Sequence, residues 1–249
     1  MFMDGLEDAY TGRAMGTFAQ ETADQRGLTR EAMDAFAIES LSRAKAAIED
    51  GSLKPETVPV TVKTRKGETV VEDDEQPHKA AVDKIPGLRP AFAKEGTITA
   101  ANSSSISDGA SALVLMSGSE AGRRGISGTA ELVAHARHSQ APEEFTLAPI
   151  GAISKLLDKT GWSVDDVDLF EINEAFAMVT MLSMLDLGLP HEKVNIHGGA
   201  CAQGHPIGST GSRIIVSLMY ALKKTGGKRG IAALCIGGGE ATAVAIELR

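Results

Sequence analysis

The stretch that decides the fold is Asn-Ile-His-Gly-Gly-Ala-Cys-Ala-Gln-Gly-His-Pro-Ile-Gly-Ser-Thr-Gly-Ser-Arg, residues 195–213. Its glycines permit close backbone approach and positive φ, and apolar residues at helical spacing follow it. The start of such a helix points unpaired N–H groups and partial positive charge at whatever lies above it. His205 stands directly before this helix, next to Pro206, which restricts its backbone. Taken alone, the stretch is either a tight turn with a surface histidine or an anion-binding loop.

Composition narrows the class of protein. The chain has 249 residues, enough for one large domain or two smaller ones, with 43% hydrophobic and 23% charged residues. A net charge of −8 argues against a general nucleic-acid binder. No apolar run approaches the roughly 20 residues of a membrane span, and the first residues lack the pattern of a secretory signal. Two cysteines, Cys201 and Cys235, indicate a reducing compartment, so we predict a cytoplasmic protein.

The first half of the chain is predicted to be helical and then irregular. Residues 11–50 have helical spacing, and residues 56–72 alternate as a hairpin does. The tip of this hairpin is basic, which suits either a solvated turn or a contact with phosphate. Residues 76–107 are rich in turn formers, a composition typical of functional loops. The apolar run 112–116 predicts a buried strand, and a short helix follows at 119–124.

From residue 126 onward, strands and helices alternate regularly. The order βαβαβαββ predicts helices packed over a mostly parallel sheet. The strands are expected at 131–137, 167–172, 194–197, 231–236 and 241–248, and the helices at 149–160, 174–187 and 206–225.

Three polar groups are expected at strand ends of this α/β part. Asn173 follows one strand, His205 lies in the glycine loop, and Cys235 ends a strand before three glycines. Ligands of α/β folds bind at the carboxyl ends of strands, so the three can converge. Asn173 could instead cap a helix, and Cys235 could be a buried structural thiol. Together they favour a thiol that a histidine tunes, beside backbone N–H groups that hold an oxyanion.

The motifs resemble the thiolases of the acetyl-CoA acetyltransferase type. Asn-Glu-Ala-Phe-Ala at 173–177, Gly-Gly-Ala-Cys-Ala-Gln-Gly-His-Pro-Ile-Gly at 198–208 and Cys-Ile-Gly-Gly-Gly at 235–239 carry the resemblance, with 89–100 and 102–109. The resemblance implies a thiolase-like α/β fold in three parts. These are a loop domain that binds CoA (1–106), the last strand and helix of the N-terminal thiolase half (107–125), and a layered βαβαβαββ C-terminal domain (126–249).

The resemblance also implies roles for the site residues. His205 would activate the nucleophilic cysteine and help to hold the thioester oxygen, and Asn173 would position the water that completes this oxyanion hole. Cys235 would remove or return an α-proton, and the N–H of Gly237 would form half of a second oxyanion hole. The pantetheine tunnel would be lined by Ser104, Phe92, Met15, Ala175 and Phe176.

The implied activity is acyl transfer between CoA thioesters by Claisen condensation or thiolysis, with no further cofactor and no metal. By resemblance, the chain corresponds to the C-terminal three-fifths of a thiolase and lacks the cysteine that is acylated. We therefore expect it to be inactive alone. Cys201 is interpreted as packing rather than as a substitute nucleophile, and Ala14 replaces a histidine common in the family.

Partners follow from the same resemblance. We expect CoA thioesters, a homo-oligomer (dimer or tetramer) or an N-terminal thiolase fragment, and neither nucleic acid nor membrane. One alternative is a non-catalytic CoA-binding or split-subunit homologue. Another is a condensing enzyme of the ketoacyl synthase kind. Such enzymes usually have a histidine at the position of Cys235, so the cysteine argues against this alternative.

Overall fold

Helices and loops make up the N-terminal part of the protein, which a computed structural model describes over residues 2–249. Helix α1 (Met15–Gln25) is followed by α2 (Arg30–Glu49), and Thr29 caps α2 by accepting a hydrogen bond from the Ala32 N–H at 3.2 Å. The predicted hairpin is confirmed. The remaining elements here are β1 (Val60–Thr64), β2 (Gly67–Val71), α3 (Glu75–Lys79), α4 (Gly118–Arg123), a π-helical turn (Phe2–Leu6) and 3₁₀ turns (Lys54–Glu56 and Val82–Gly87).

The C-terminal part alternates strands and helices. The predicted helices and four of the five predicted strands are present, with ends that differ by a few residues. The elements are β3 (Ala130–Ser139), α5 (Ala148–Thr160), β4 (Leu169–Ile172), α6 (Ala177–Leu187), α7 (Ala200–Gln203), α8 (Ile207–Thr225), β5 (Arg229–Ile236) and β6 (Glu240–Leu248), with 3₁₀ turns at Pro142–Glu144 and His191–Lys193.

The four C-terminal strands form one sheet in the order β3-β6-β5-β4. Only β4 and β5 are parallel, and the other two pairs are antiparallel. The prediction of a mostly parallel sheet is therefore wrong. The short glycine turn between β5 and β6 forces those strands to be antiparallel, because a parallel pair needs a long crossover. The strand predicted at 194–197 is reduced to a single bridge between Val194 and Phe170.

Helices cover both faces of this sheet. Phe170 and Ile172 of β4 pack in an apolar cluster with residues of α5, including Ile153. Leu169, one residue earlier, packs on the opposite side with Leu218 of α8. Because side chains alternate along a strand, Glu171 and Asn173 also belong to the α8 face. This alternation directs two polar side chains toward the start of α8, where His205 lies.

The strand predicted at 112–116 is absent. Val114 is 87% exposed and Leu115 is 68% exposed, and no described residue pairs with this segment as a strand. An apolar run is typical of a buried strand, but a strand also needs a neighbouring strand to pair with its backbone N–H and C=O groups.

Among residues 2–249, no helix is both long and apolar enough to cross a membrane.

Candidate active site

Two of the three predicted polar groups meet at one edge of the sheet. Asn173 follows β4 directly, and its N–H donates to the Ala233 carbonyl of β5 at 2.9 Å. Cys235 lies two residues further along β5. Because β4 and β5 are parallel, both residues come to the same, carboxyl end of the sheet, as predicted. His205 lies between α7 and α8. The prediction that it follows the end of a strand is therefore wrong.

His205 is nevertheless brought to this edge by its own contacts. Its backbone N–H donates to the Ser105 carbonyl at 3.0 Å. Its Nδ1 lies 2.7 Å from Thr210 Oγ1, and that hydroxyl donates its proton to the Pro206 carbonyl at 3.0 Å. Thr210 therefore accepts from Nδ1–H, which leaves a lone pair on Nε2. The Asn173 amide nitrogen lies 3.4 Å from this Nε2.

The electrostatic surroundings keep His205 neutral. Burial, and then the nearby positive charge of Arg213, lower the pKa of His205 to about 4. A neutral imidazole whose Nε2 carries a lone pair can accept a proton. Asn173 Oδ1 is buried and finds no hydrogen-bond partner among the described residues, so it is ready to hold a water or ligand group.

Burial favours the protonated form of the Cys235 thiol. Burial raises its pKa to about 12, so it can supply a proton, and it must first lose one to act as a base. The turn that follows has little room for side chains. A Cβ on Gly237 would lie 3.0 Å from Met15 Sδ, and one on Gly239, where φ is +93°, would lie 2.4 Å from the Gln140 carbonyl oxygen. The Gly237 peptide is therefore bare, as an oxyanion donor needs.

The residues predicted for the pantetheine tunnel surround this edge. The rings of Phe92 and Phe176 meet edge to face at 6.1 Å, and Met15 packs in the same apolar cluster, with Cys235 at its margin. The N–H and hydroxyl of Ser104 both donate to the Ala175 carbonyl at 3.0 Å. The structure thus brings these residues together, while their contact with a ligand remains a prediction.

Cys201 is held differently from Cys235. It packs against the same apolar cluster, and its Sγ lies 3.8 Å from the Glu174 carbonyl oxygen. Burial, and then the Glu174 carboxylate, raise its pKa well above the usual range of a thiol. A nucleophilic cysteine needs the opposite shift, so the geometry favours the packing role.

The sequence analysis missed two residues of this region. Thr210, which orients His205, lies on the first turns of α8, and its spacing of five from His205 was a usable signal. Glu174, adjacent to Asn173, is wholly buried and bonds to Ser40, which is 134 residues away. Such a distant partner leaves no local pattern in the chain.

The family of the protein is shown by its domains. The model of the thiolase N-terminal domain matches residues 1–119, and the model of the thiolase C-terminal domain matches residues 126–248. The chain therefore belongs to the thiolase family.

Individual relatives agree with this family. The chain is 47% identical to an acetyl-CoA acetyltransferase of Yarrowia lipolytica over 98% of its own length and 61% of the relative. It is also 47% identical to the acetyl-CoA acetyltransferase of Shinella zoogloeoides, over 99% of the chain and 63% of the relative. The chain thus spans about three-fifths of the length of these relatives.

Solved structures show the same fold. A Bacillus anthracis acetyl-CoA acetyltransferase superposes with a TM-score of 0.95 at 42% identity, over 98% of this chain and 62% of that one. A thiolase from Ascaris suum in complex with coenzyme A superposes with a TM-score of 0.89 at 37% identity, over 99% of this chain and 63% of that one.

These matches correct one prediction. The chain was expected to be a C-terminal thiolase fragment without the N-terminal nucleophile region, but the N-terminal domain model matches residues 1–119. The layered fold is consequently not of the C-terminal domain alone. The prediction that the chain is inactive alone, made because it lacks the acylated cysteine, finds no support in these matches.

Proposed function

We propose that this chain supplies the α-proton transfer and the oxyanion holes of a thiolase-type acyl transfer between CoA thioesters. The observation that carries the proposal is the contact of Asn173 with His205 at the carboxyl end of β4, with Cys235 at the same end of the neighbouring strand β5 and the bare Gly237 peptide two residues after it. Two further findings support it: the relatives are named acetyl-CoA acetyltransferases, and one structural neighbour is a complex with coenzyme A.

Proton transfer at the α-carbon is assigned to Cys235. In the condensing direction the Cys235 thiol first releases its proton to solvent, and the thiolate then removes a proton from the α-carbon of acetyl-CoA. The thiol is regenerated, the electron pair of the C–H bond passes into an enolate, and the enolate oxygen accepts from a water held at Asn173, beside His205. In thiolysis the thiol returns its proton to the carbanion, a role that suits a pKa of about 12.

The two oxyanion holes divide among the remaining residues. Asn173 Oδ1, which has no partner among the described residues, would hold a water that donates to the thioester oxygen beside His205. The Gly237 N–H would serve the second hole. We assign the acyl-carrying thiol to no residue of this chain, because Cys201 packs as an apolar side chain and its pKa is raised.

The test is exchange of the acetyl-CoA α-hydrogens with D₂O, followed by NMR, because this half-reaction needs no acyl-carrying cysteine. We expect the wild-type protein to exchange these hydrogens faster than buffer alone does. In Cys235→Ser the exchange rate should fall at least about 100-fold. Cys201→Ser is the matched control and should change the rate less than about threefold.

Calorimetric titration with CoA separates the remaining outcomes. CoA binding without exchange would replace the acyltransferase by a non-catalytic CoA-binding homologue. If the protein neither binds CoA nor exchanges the α-hydrogens, the acyltransferase hypothesis and the CoA-binding hypothesis are both refuted.

A further inference from the structure

A buried carboxyl group lies at the base of the site. Glu174 directly follows Asn173 and is 0% exposed, and no cation forms an ion pair with it among residues 2–249. Removing a carboxylate from water without a paired cation is unfavourable unless hydrogen bonds compensate for the lost hydration. The partners of this side chain therefore indicate what it does.

Three donors from three separate segments converge on Glu174. Ser40 of α2 donates its hydroxyl to Oε2 at 2.8 Å, and the Cys201 N–H of α7 donates to the same oxygen at 3.0 Å. Asn195 donates its amide to Oε1 at 2.8 Å. All three groups donate, so the side chain is bound as an acceptor, the form that a carboxylate offers.

Ser40 extends this network to the glycine loop. Its hydroxyl accepts a hydrogen bond from the Gly199 N–H at 2.9 Å while it donates to Glu174. A Cβ on Gly199 would lie 2.4 Å from the Glu174 carboxyl group, and one on Gly198 would lie 2.4 Å from the Ser40 carbonyl oxygen. The two glycines are thus what allows the loop to close on the carboxylate.

The same network reaches both His205 and Asn173. The loop that Glu174 holds at Gly199 and Cys201 continues directly to His205, four residues beyond Cys201. On the other side, Asn195 exchanges two hydrogen bonds of 2.8 Å with the backbone of Ile172, immediately before Asn173. One side chain therefore connects the two segments whose side chains meet at 3.4 Å.

We propose that Glu174 is a positioning residue, which acts with Ser40 to fix His205 relative to Asn173. Its consequence for catalysis rests on the proposed function, whereas its consequence for the geometry of His205 does not. Burial raises the pKa of Glu174, and its bonds to Asn195, Ser40 and Cys201 and the charge of Arg213 oppose this shift.

Two substitutions test the proposal in the full chain. Glu174→Gln keeps the shape of the side chain but turns one oxygen into an NH₂ group, which must face either Asn195 or the pair of donors from Ser40 and Cys201. Ser40→Ala removes only the bridge between Glu174 and Gly199. Ser183→Ala is the matched control, because Ser183 is also buried on a helix but bonds only within it, to the Val179 carbonyl.

The first readout is the ¹⁵N spectrum of the His205 imidazole, which needs no turnover. We expect its Nε2 signal to shift or broaden in Glu174→Gln and Ser40→Ala, and to stay at the wild-type position in Ser183→Ala. An unchanged His205 signal in folded Ser40→Ala would overturn the proposal, even where Glu174→Gln does not fold.

The second readout is the exchange reaction. With acetyl-CoA we expect kcat to fall at least about tenfold in Glu174→Gln while KM changes less than about twofold, because substrate contacts remain and only orientation is lost. A rise in KM with unchanged kcat would overturn the positioning role. A shifted His205 signal in a protein whose wild type does not exchange protons would refute the proposed function and leave the positioning of His205 intact.

Discussion

Glu171→Gln should make the protein more stable at alkaline pH. Glu171 lies on the α8 face of β4 and is 3% exposed. Burial, with the negative charges of Glu56 and Glu174, raises its pKa to about 8, although Arg213 opposes the shift. Glutamine has nearly the same shape and carries no charge, so it removes the cost of ionising this buried group.

The direction of the pH effect on stability follows from the pH at which Glu171 loses its proton in the folded and in the unfolded state. The folded protein keeps the Glu171 proton up to about pH 8, whereas the unfolded chain releases it near pH 4.5. The folded state therefore binds more protons across this window, and the free energy of unfolding falls as pH rises through it. At about 1.4 kcal/mol for each pH unit, the upper limit of the effect is about 5 kcal/mol. Burial also raises the pKa of Glu56, to about 7, so the two groups share part of the effect.

Urea unfolding followed by circular dichroism between pH 5 and pH 8.5 measures the difference. Glu171→Gln should lie within about 1 kcal/mol of wild type at pH 5 and exceed it by about 2–5 kcal/mol at pH 8.5. Glu131→Gln is the control, because Glu131 is an exposed strand residue paired with Arg249, and it should follow the pH dependence of wild type. If Glu171→Gln kept the pH dependence of wild type, or were less stable at pH 8.5, the reasoning would be wrong.

Two further predictions concern the loop and the histidine. Gly199→Ala should lower the free energy of unfolding by about 2–4 kcal/mol, because its Cβ would lie 2.4 Å from the Glu174 carboxyl group, whereas Gly118→Ala meets open space and should not destabilise. Equal losses in denaturant unfolding would contradict this. Thr210→Val removes the acceptor of His205 Nδ1–H and should reduce α-hydrogen exchange about tenfold with CoA affinity unchanged. Thr210→Ser should restore the rate, and an unaffected Thr210→Val would show that the hydroxyl does not orient the ring.

Much of the C-terminal architecture could be predicted from local patterns. The spacing of apolar residues predicts α5 and α8, and Gly161 and Gly226 end them in the left-handed conformation that glycine favours. The direction of the strands could not be predicted in the same way. Pairing depends on which strands become neighbours, and β3 finds its partner β6 about 100 residues away.

The candidate site was likewise predictable only in its local features. Asn173, His205 and Cys235 were recognisable from short motifs, and β4 and β5 do bring two of them to one edge. The strand expected at 112–116 is absent. An apolar run shows that its residues suit a buried strand, but it does not show whether a neighbouring strand is present to pair with it. The hydrogen bond that orients His205 is made with Thr210, which is near it in the chain, but only the folded start of α8 brings this hydroxyl to 2.7 Å from Nδ1.

By itself, the sequence determined the features that depend on near neighbours: the helices, the positions of the glycine turns, and the thiolase motifs with their candidate residues. Only the tertiary structure decided which groups lose contact with water. The protonated thiol of Cys235, the neutral imidazole of His205 and the buried carboxyl group of Glu171 all result from desolvation by segments distant in sequence. The same packing gave Glu174 three donors from separate segments, because a buried carboxyl group must recover from the protein the hydrogen bonds that it loses from water.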